Sequence, residues 1–131
     1  MRSILPLHRD VKYSSLIYRE SLSTPGVRYA VRKVSLAQRM ELTKNVRELC
    51  LKHEFLNAGD TSDRLEGQLA DLMVRRLYLE WGLAEISGLR IDGSTATIEL
   101  LIARGPEQLT DEIIESIKSE LGLTEDERKN S

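Results

Sequence analysis

The chain contains a single cysteine, Cys50, so no intramolecular disulfide can form, and this fits synthesis in a reducing compartment. Its two histidines, His8 and His53, are too few for a four-ligand structural zinc site without more cysteine. No apolar run approaches the roughly 20 residues that a membrane-spanning helix needs. The opening MRSILPLHRDVK carries charges where the apolar region of a signal peptide belongs, so secretion is not expected. Aromatic residues make up 5% of the chain, one Phe, one Trp and four Tyr, which makes the core mainly aliphatic. There is no internal repeat, Gly/Ser linker or low-complexity block, so the 131 residues read as one domain. Gly-rich phosphate loops, a serine nucleophile elbow and the His/Glu pair of metalloproteases are all missing, and an enzyme is not expected.

What is present is a folded composition, 40% hydrophobic and 31% charged, long enough to bury roughly two-thirds of its unfolded surface. The net charge of −2 hides an imbalance: residues 1–60 carry +5 and residues 61–131 carry −7. Residues 1–26 show no sustained period and end in the turn-like Ser23-Thr24-Pro25-Gly26, which predicts a flexible N-terminal arm before a single mostly helical domain at 27–131. Val27, Tyr29 and Val31 alternate with Arg28, Ala30 and Arg32, the period of a strand. Ser35 followed by Gln38 is a capping box, so a helix should start at Leu36, and Leu42, Val46, Leu49, His53 and Leu56 share one of its faces up to a stop at Gly59.

After a connection of a few residues, with Asp60 and Thr61 as candidate caps, Leu65, Leu69, Leu72, Met73, Leu77 and Trp81 predict a second long helix ended by Gly82. So short a connection predicts an antiparallel helical hairpin in which each helix hides its apolar stripe on the other, with His53 near Glu66 and Val46 near Met73. Asp92-Gly93 between Leu89/Ile91 and Thr95 predicts a small β-hairpin corner. Thr97 should cap a short helix over 98–104, and Pro106 should open a last helix carrying Leu109, Ile113, Ile117 and Leu121, with Gly122 and Leu123 as its C-terminal cap. Thr124 with Glu127 suits one more capped turn. The expected fold is α+β, mostly α: an N-terminal short strand, a long helical hairpin, a β corner and two C-terminal helices.

Two constellations bear on chemistry. Cys50 and His53 lie three apart on one helix, a spacing that suits two metal ligands or a thiolate and its base. With no further ligands in the folded part, the better reading makes His53 a seam residue satisfied by Glu66 and Cys50 a small apolar filler, so no metal or cofactor is expected. Arg28, Arg32, Lys33 and Arg39 form a basic cluster suited to phosphates. The acidic pI of about 5.8 and the lack of stacking aromatics within the cluster weigh against nucleic acid and favour contacts within the fold or between copies.

From Val27 to Asn130, the segments VRYAVRKVSLAQRMELTKNVREL, HEFLNAGD, RRLYLEWGLAEISGLRIDG, ATIELL, GPEQLTDEIIESIKSELGL and EDERKN together resemble small proteins of tailed-phage and prophage tail-gene regions. The resemblance implies a tail assembly chaperone: a non-catalytic, homo-oligomeric helical protein that coats the tape-measure protein or other tail components in the cytoplasm of the bacterial host, with no membrane association. It transfers no catalytic residues. Leu77, Tyr78 and Trp81, or the Leu100/Leu101/Ile102 run, would supply the contact surface, with ordinary core as the competing assignment. The alternatives are a virion structural subunit of the tail or head-completion type, and a small nucleic-acid-binding regulator using Arg28 to Arg39.

Overall fold

The computed structural model describes residues 10–56 and 62–122. The elements are β1 (Leu16–Glu20), β2 (Arg28–Arg32), α1 (Leu36–Leu56), α2 (Ser62–Gly82), β3 (Leu83–Ser87), β4 (Arg90–Ile91), β5 (Ser94–Thr95), α3 (Ile98–Arg104) and α4 (Glu107–Glu120). This is the expected mostly helical α+β fold. The Ser35/Gln38 box is made in both directions, the Gln38 N–H donating to Ser35 Oγ and the Ser35 N–H donating to Gln38 Oε1, each at 3.2 Å. Thr97 Oγ1 accepts from the Leu100 N–H and starts α3. Gly122, with φ of 79°, follows α4, and Leu123 lies outside the described residues, as do the proposed loop caps Asp60 and Thr61, the Thr124/Glu127 turn and the side chains of His53 and Leu56.

Two expectations from the sequence are corrected. Residues 16–20 are not part of a flexible arm: they form β1, an antiparallel partner of β2 in which Ile17 faces Val31 and Tyr18 faces Ala30. Leu16 and Ile17 are only half-buried and Tyr18, Arg19 and Glu20 are exposed, so an edge strand with one-sided, shallow burial leaves no alternation to read. The opening of the segment from Glu85 to Thr97, read as one β corner, instead belongs to β3 (Leu83–Ser87), which pairs antiparallel with the other side of β2 to give the order β1-β2-β3. The corner itself follows as β4–β5, where Asp92 and Gly93 both have positive φ, 50° and 82°.

One face of this sheet is the floor of the core. Tyr29 and Val31 of β2 and Leu83 of β3 meet Leu79 of α2, Leu101 of α3 and the α4 stripe Leu109, Ile113, Ile117 and Leu121. The predicted α4 stripe is thus buried throughout, and Ile114 widens it. Gly82 is where α2 touches α4: a β-carbon there would lie 2.7 Å from two side-chain atoms of Ile117. Arg75, earlier on α2, pairs with Asp111, earlier on α4, so the two helices run in the same direction. Glu112, also on α4, ties down the β1–β2 turn. Its Oε1 accepts from Ser21 Oγ and the Ser23 N–H, and its Oε2 from the Leu22 N–H and the Tyr29 hydroxyl, at 2.9 to 3.1 Å. Burial alone would raise this carboxyl, but the hydrogen bonds from Ser23, Leu22 and Ser21 outweigh it and hold the pKa down at about 2.

Candidate functional site

The helical hairpin α1–α2 leaves the body between β2 and β3, and its packing departs from the expected stripe. At about 100° per residue, Leu65, Leu69, Leu72 and Met73 fall within roughly 100° of arc, whereas Gly67, Ala70, Val74, Leu77 and Trp81 occupy a different sector of roughly 80°. The second set is half-buried and recurs at spacings of 3, 4, 3 and 4, the period of a helix–helix seam. The first set is left outside: Leu65 is 68% exposed, Leu69 46%, Leu72 58% and Met73 37%. The expectation that α2 hides Leu65, Leu69, Leu72 and Met73 on α1 is therefore corrected. Small residues at positions 67 and 70 let the helices approach, and the leucines, one residue or more out of that phase, point away. On α1, Leu42 is buried and Val46 and Leu49 are half-buried, as the period predicts.

The outer leucine face continues a surface that α4 already uses. Leu79, two turns on from Leu72, is 2% exposed beneath the body, and Leu72 lines a hollow of about 190 Å³ with Leu79, Ile102 and Ile114, bordered by Arg75 and Asp111. Beyond the start of α4 the same face runs on uncovered towards Leu65. Contiguous exposed leucines rimmed by charge on a domain this small make this face the candidate contact surface.

The basic cluster is divided rather than gathered. The Arg32 Nε donates to the Trp81 carbonyl at 3.1 Å, and an Arg39 terminal nitrogen donates to the Leu121 carbonyl at 3.2 Å. Each arginine thus satisfies the end of a helix, α2 and α4 respectively, where free carbonyls and the negative end of the dipole attract a cation. The Lys33 ammonium lies 4.7 Å from the Tyr13 ring centroid. Arg28 is exposed on the outer sheet face, beside Tyr18 and Glu85. Two of the four cations therefore have a structural task as helix caps, where their spacing in the sequence suggests only phosphate or contacts in general.

The aromatic end of α2 is half-buried. Leu77 and Trp81 line a cavity of about 360 Å³ with Arg32 and Glu80, and the Trp81 indole N–H is buried with no hydrogen-bond partner among the described residues. Tyr78 faces the other side of the seam, lining a second cavity of about 330 Å³ with Arg39. Leu101 is core at 1% exposure, with Leu100 and Ile102 half-buried beside it. Cys50 is exposed and not an apolar filler. It is expected to react with a maleimide in the native protein as fast as in urea; strong native protection, followed by mass spectrometry, would contradict that exposure.

Among the described residues no group of three or more His, Cys, Asp or Glu side chains is placed to hold a metal ion, and no helix is long and apolar enough to cross a membrane. No protein-family model, curated protein or solved structure matches the chain.

Proposed function

We propose that this protein is a non-catalytic assembly factor that holds an apolar helix of a larger protein, in the manner of a phage or prophage tail assembly chaperone acting on the tape-measure protein or another tail component. The observation that carries the reading is the outward leucine face of α2. Leucines at i, i+4 and i+7 with Met73 at i+8 form the stripe against which an amphipathic helix packs, and the stripe prolongs one that α4 already fills. The sequence resemblance supplies the class of client, and the helix-capping roles of Arg32 and Arg39 favour protein over nucleic acid as the partner.

Co-expression with the tape-measure protein tests this directly. Leu65→Glu/Leu69→Glu is expected to leave folding stability within about 0.5 kcal/mol, because these two side chains are 68% and 46% exposed and line no hollow against α4, while recovery of the client in a pull-down falls about tenfold or more. Undiminished recovery by the double variant would refute the role of this face. Finding the protein in washed mature particles would instead identify a virion structural subunit.

A further inference from the structure

The cavity on the Tyr78 side of the hairpin has a chemistry of its own, and it does not depend on the leucine face holding a client. Its floor is apolar: Leu42 and Leu121, each 5% exposed, with Val46 and Tyr78. Its rim is cationic, formed by Arg39 and Arg47 of α1, both exposed. Arg39 spends one N–H on the Leu121 carbonyl, which fixes the guanidinium at the rim, and its other four donors make no further hydrogen bond among the described residues. The two arginines are eight residues apart on one helix, a separation of about 12 Å along its axis. In the adjoining hollow, Lys118 lies 6.0 Å from the Tyr78 ring centroid and pairs with Glu115, with Asp71 and Arg75 beyond it. A volume of about 330 Å³ is at the small end for a ligand site and suits one or two side chains.

We propose that this cavity receives one apolar side chain from an acidic helix of a partner protein. The side chain fills the floor formed by Leu42, Val46, Tyr78 and Leu121. Carboxylates four residues before and four residues after it meet Arg39 and Arg47. The match is one of length as well as sign: positions i−4 and i+4 of a helix are separated by the same eight residues as the two arginines, so a helix lying along α1 brings both pairs together at once. Charge-assisted arginine–carboxylate bonds of this kind give orientation, and the apolar floor gives affinity.

The probe is a fluorescent, helix-stabilised peptide of about 16 residues carrying Glu-x-x-x-Leu-x-x-x-Glu, with a second peptide bearing Lys for each Glu. Fluorescence anisotropy should show saturable binding of the acidic peptide to the full chain, weakening about tenfold or more between about 50 mM and about 500 mM salt, and no comparable binding of the Lys peptide. Arg47→Glu, which leaves the Leu121 contact of Arg39 untouched, should weaken it about tenfold, and Thr43→Trp, which places an indole at the wall, should do the same. Backbone amide shifts at Val46 and Tyr78 should report the contact. Equal binding of the two peptides, indifference to Arg47→Glu, or shifts confined to Leu65–Met73 would overturn the proposal. So would a tenfold gain in affinity on Glu125→Lys/Glu127→Lys, because the occupant would then be the acidic end of the chain itself.

Discussion

Replacing Glu112 by Gln is expected to lower stability at neutral pH by about 2 kcal/mol and to remove most of the acid sensitivity of the fold. The carboxylate accepts from four donors, two on each oxygen: Ser21 Oγ and the Ser23 N–H on one, the Leu22 N–H and Tyr29 hydroxyl on the other. An amide placed there turns its NH2 towards one backbone N–H and one hydroxyl whichever way it flips; the hydroxyl can rotate to accept, but the N–H cannot, so one hydrogen bond becomes a donor–donor contact and the others lose the carboxylate's charge. The pH dependence follows from the direction of the shift. Burial opposes ionisation, yet the donors from Ser23, Leu22 and Ser21 win and hold the folded-state pKa at about 2, against an ordinary 4.5. Above about pH 4.5 both folded and unfolded chains carry the charge and the stabilisation is fully present. Below that the unfolded chain takes up a proton that the folded one refuses, and the contribution is lost by about pH 2. Urea titrations at pH 7, 4 and 3 should therefore show a falling midpoint for the parent and a flatter, lower one for the variant. A variant that keeps the parental slope would assign the acid response elsewhere.

The second large effect belongs to Gly88, immediately after β3. Its φ is +80°, and a β-carbon there would sit on the carbonyl oxygen of Gly26, at the foot of the β1–β2 turn. Neither obstacle is a side chain that can swing aside. Gly88→Ala is expected to cost about 3 kcal/mol, from the left-handed conformation and from the forced separation of two backbones. Gly93 provides the control. It has a similar φ of 82° but open space around its α-carbon, so Gly93→Ala should cost only about 1 kcal/mol. Equal midpoints for the two variants in urea denaturation would show that the Gly26–Gly88 approach has no energetic weight.

Where a sequence signal is local, it is legible. The Ser35/Gln38 box, the Thr97 cap, the Asp92-Gly93 turn and the α4 stripe each depend on residues within a few positions of one another, and each forms as read. The departures are all cases in which a distant segment decides. β1 is a strand because β2 offers it a ladder, and its own LIYRE has no two-sided environment to imprint a period. Nothing local in Leu83–Ser87 reveals that its partner lies upstream in β2, beyond the whole hairpin, so the part from Glu85 reads as the start of the corner. On α2 hydrophobicity alone points to the large leucines as the seam. The seam keeps Leu77 and Trp81 of the predicted stripe but adds Gly67, Ala70 and Val74, a set whose 3-4-3-4 spacing is present in the sequence but weaker in mean hydropathy. The same preference conceals the exposed leucine face, since Leu65, Leu69, Leu72 and Met73, which it assigns to the interior, are left outside. The basic cluster is visible in the sequence, but its division into two helix caps, Arg32 on Trp81 and Arg39 on Leu121, needs the fold.

The helical hairpin has a topological property that bears on how such a protein can change. It is an excursion between β2 and β3, two strands that are neighbours in the sheet, and the Arg32–Trp81 hydrogen bond closes its base. The contacts that hold the body together lie below that closure or within the first few turns above it, where Arg39, Leu42, Arg75 and Leu79 meet α4 and the core. The seam above it repeats every seven residues, so a heptad inserted into or deleted from both helices keeps the inward and outward faces in phase. Each such step moves the end of the boom by about 10 Å relative to the sheet. Stability and reach are therefore separate variables: the sheet, α4 and the base of the hairpin set whether the protein folds, while the number of heptads sets how far from the sheet the outer leucine face extends.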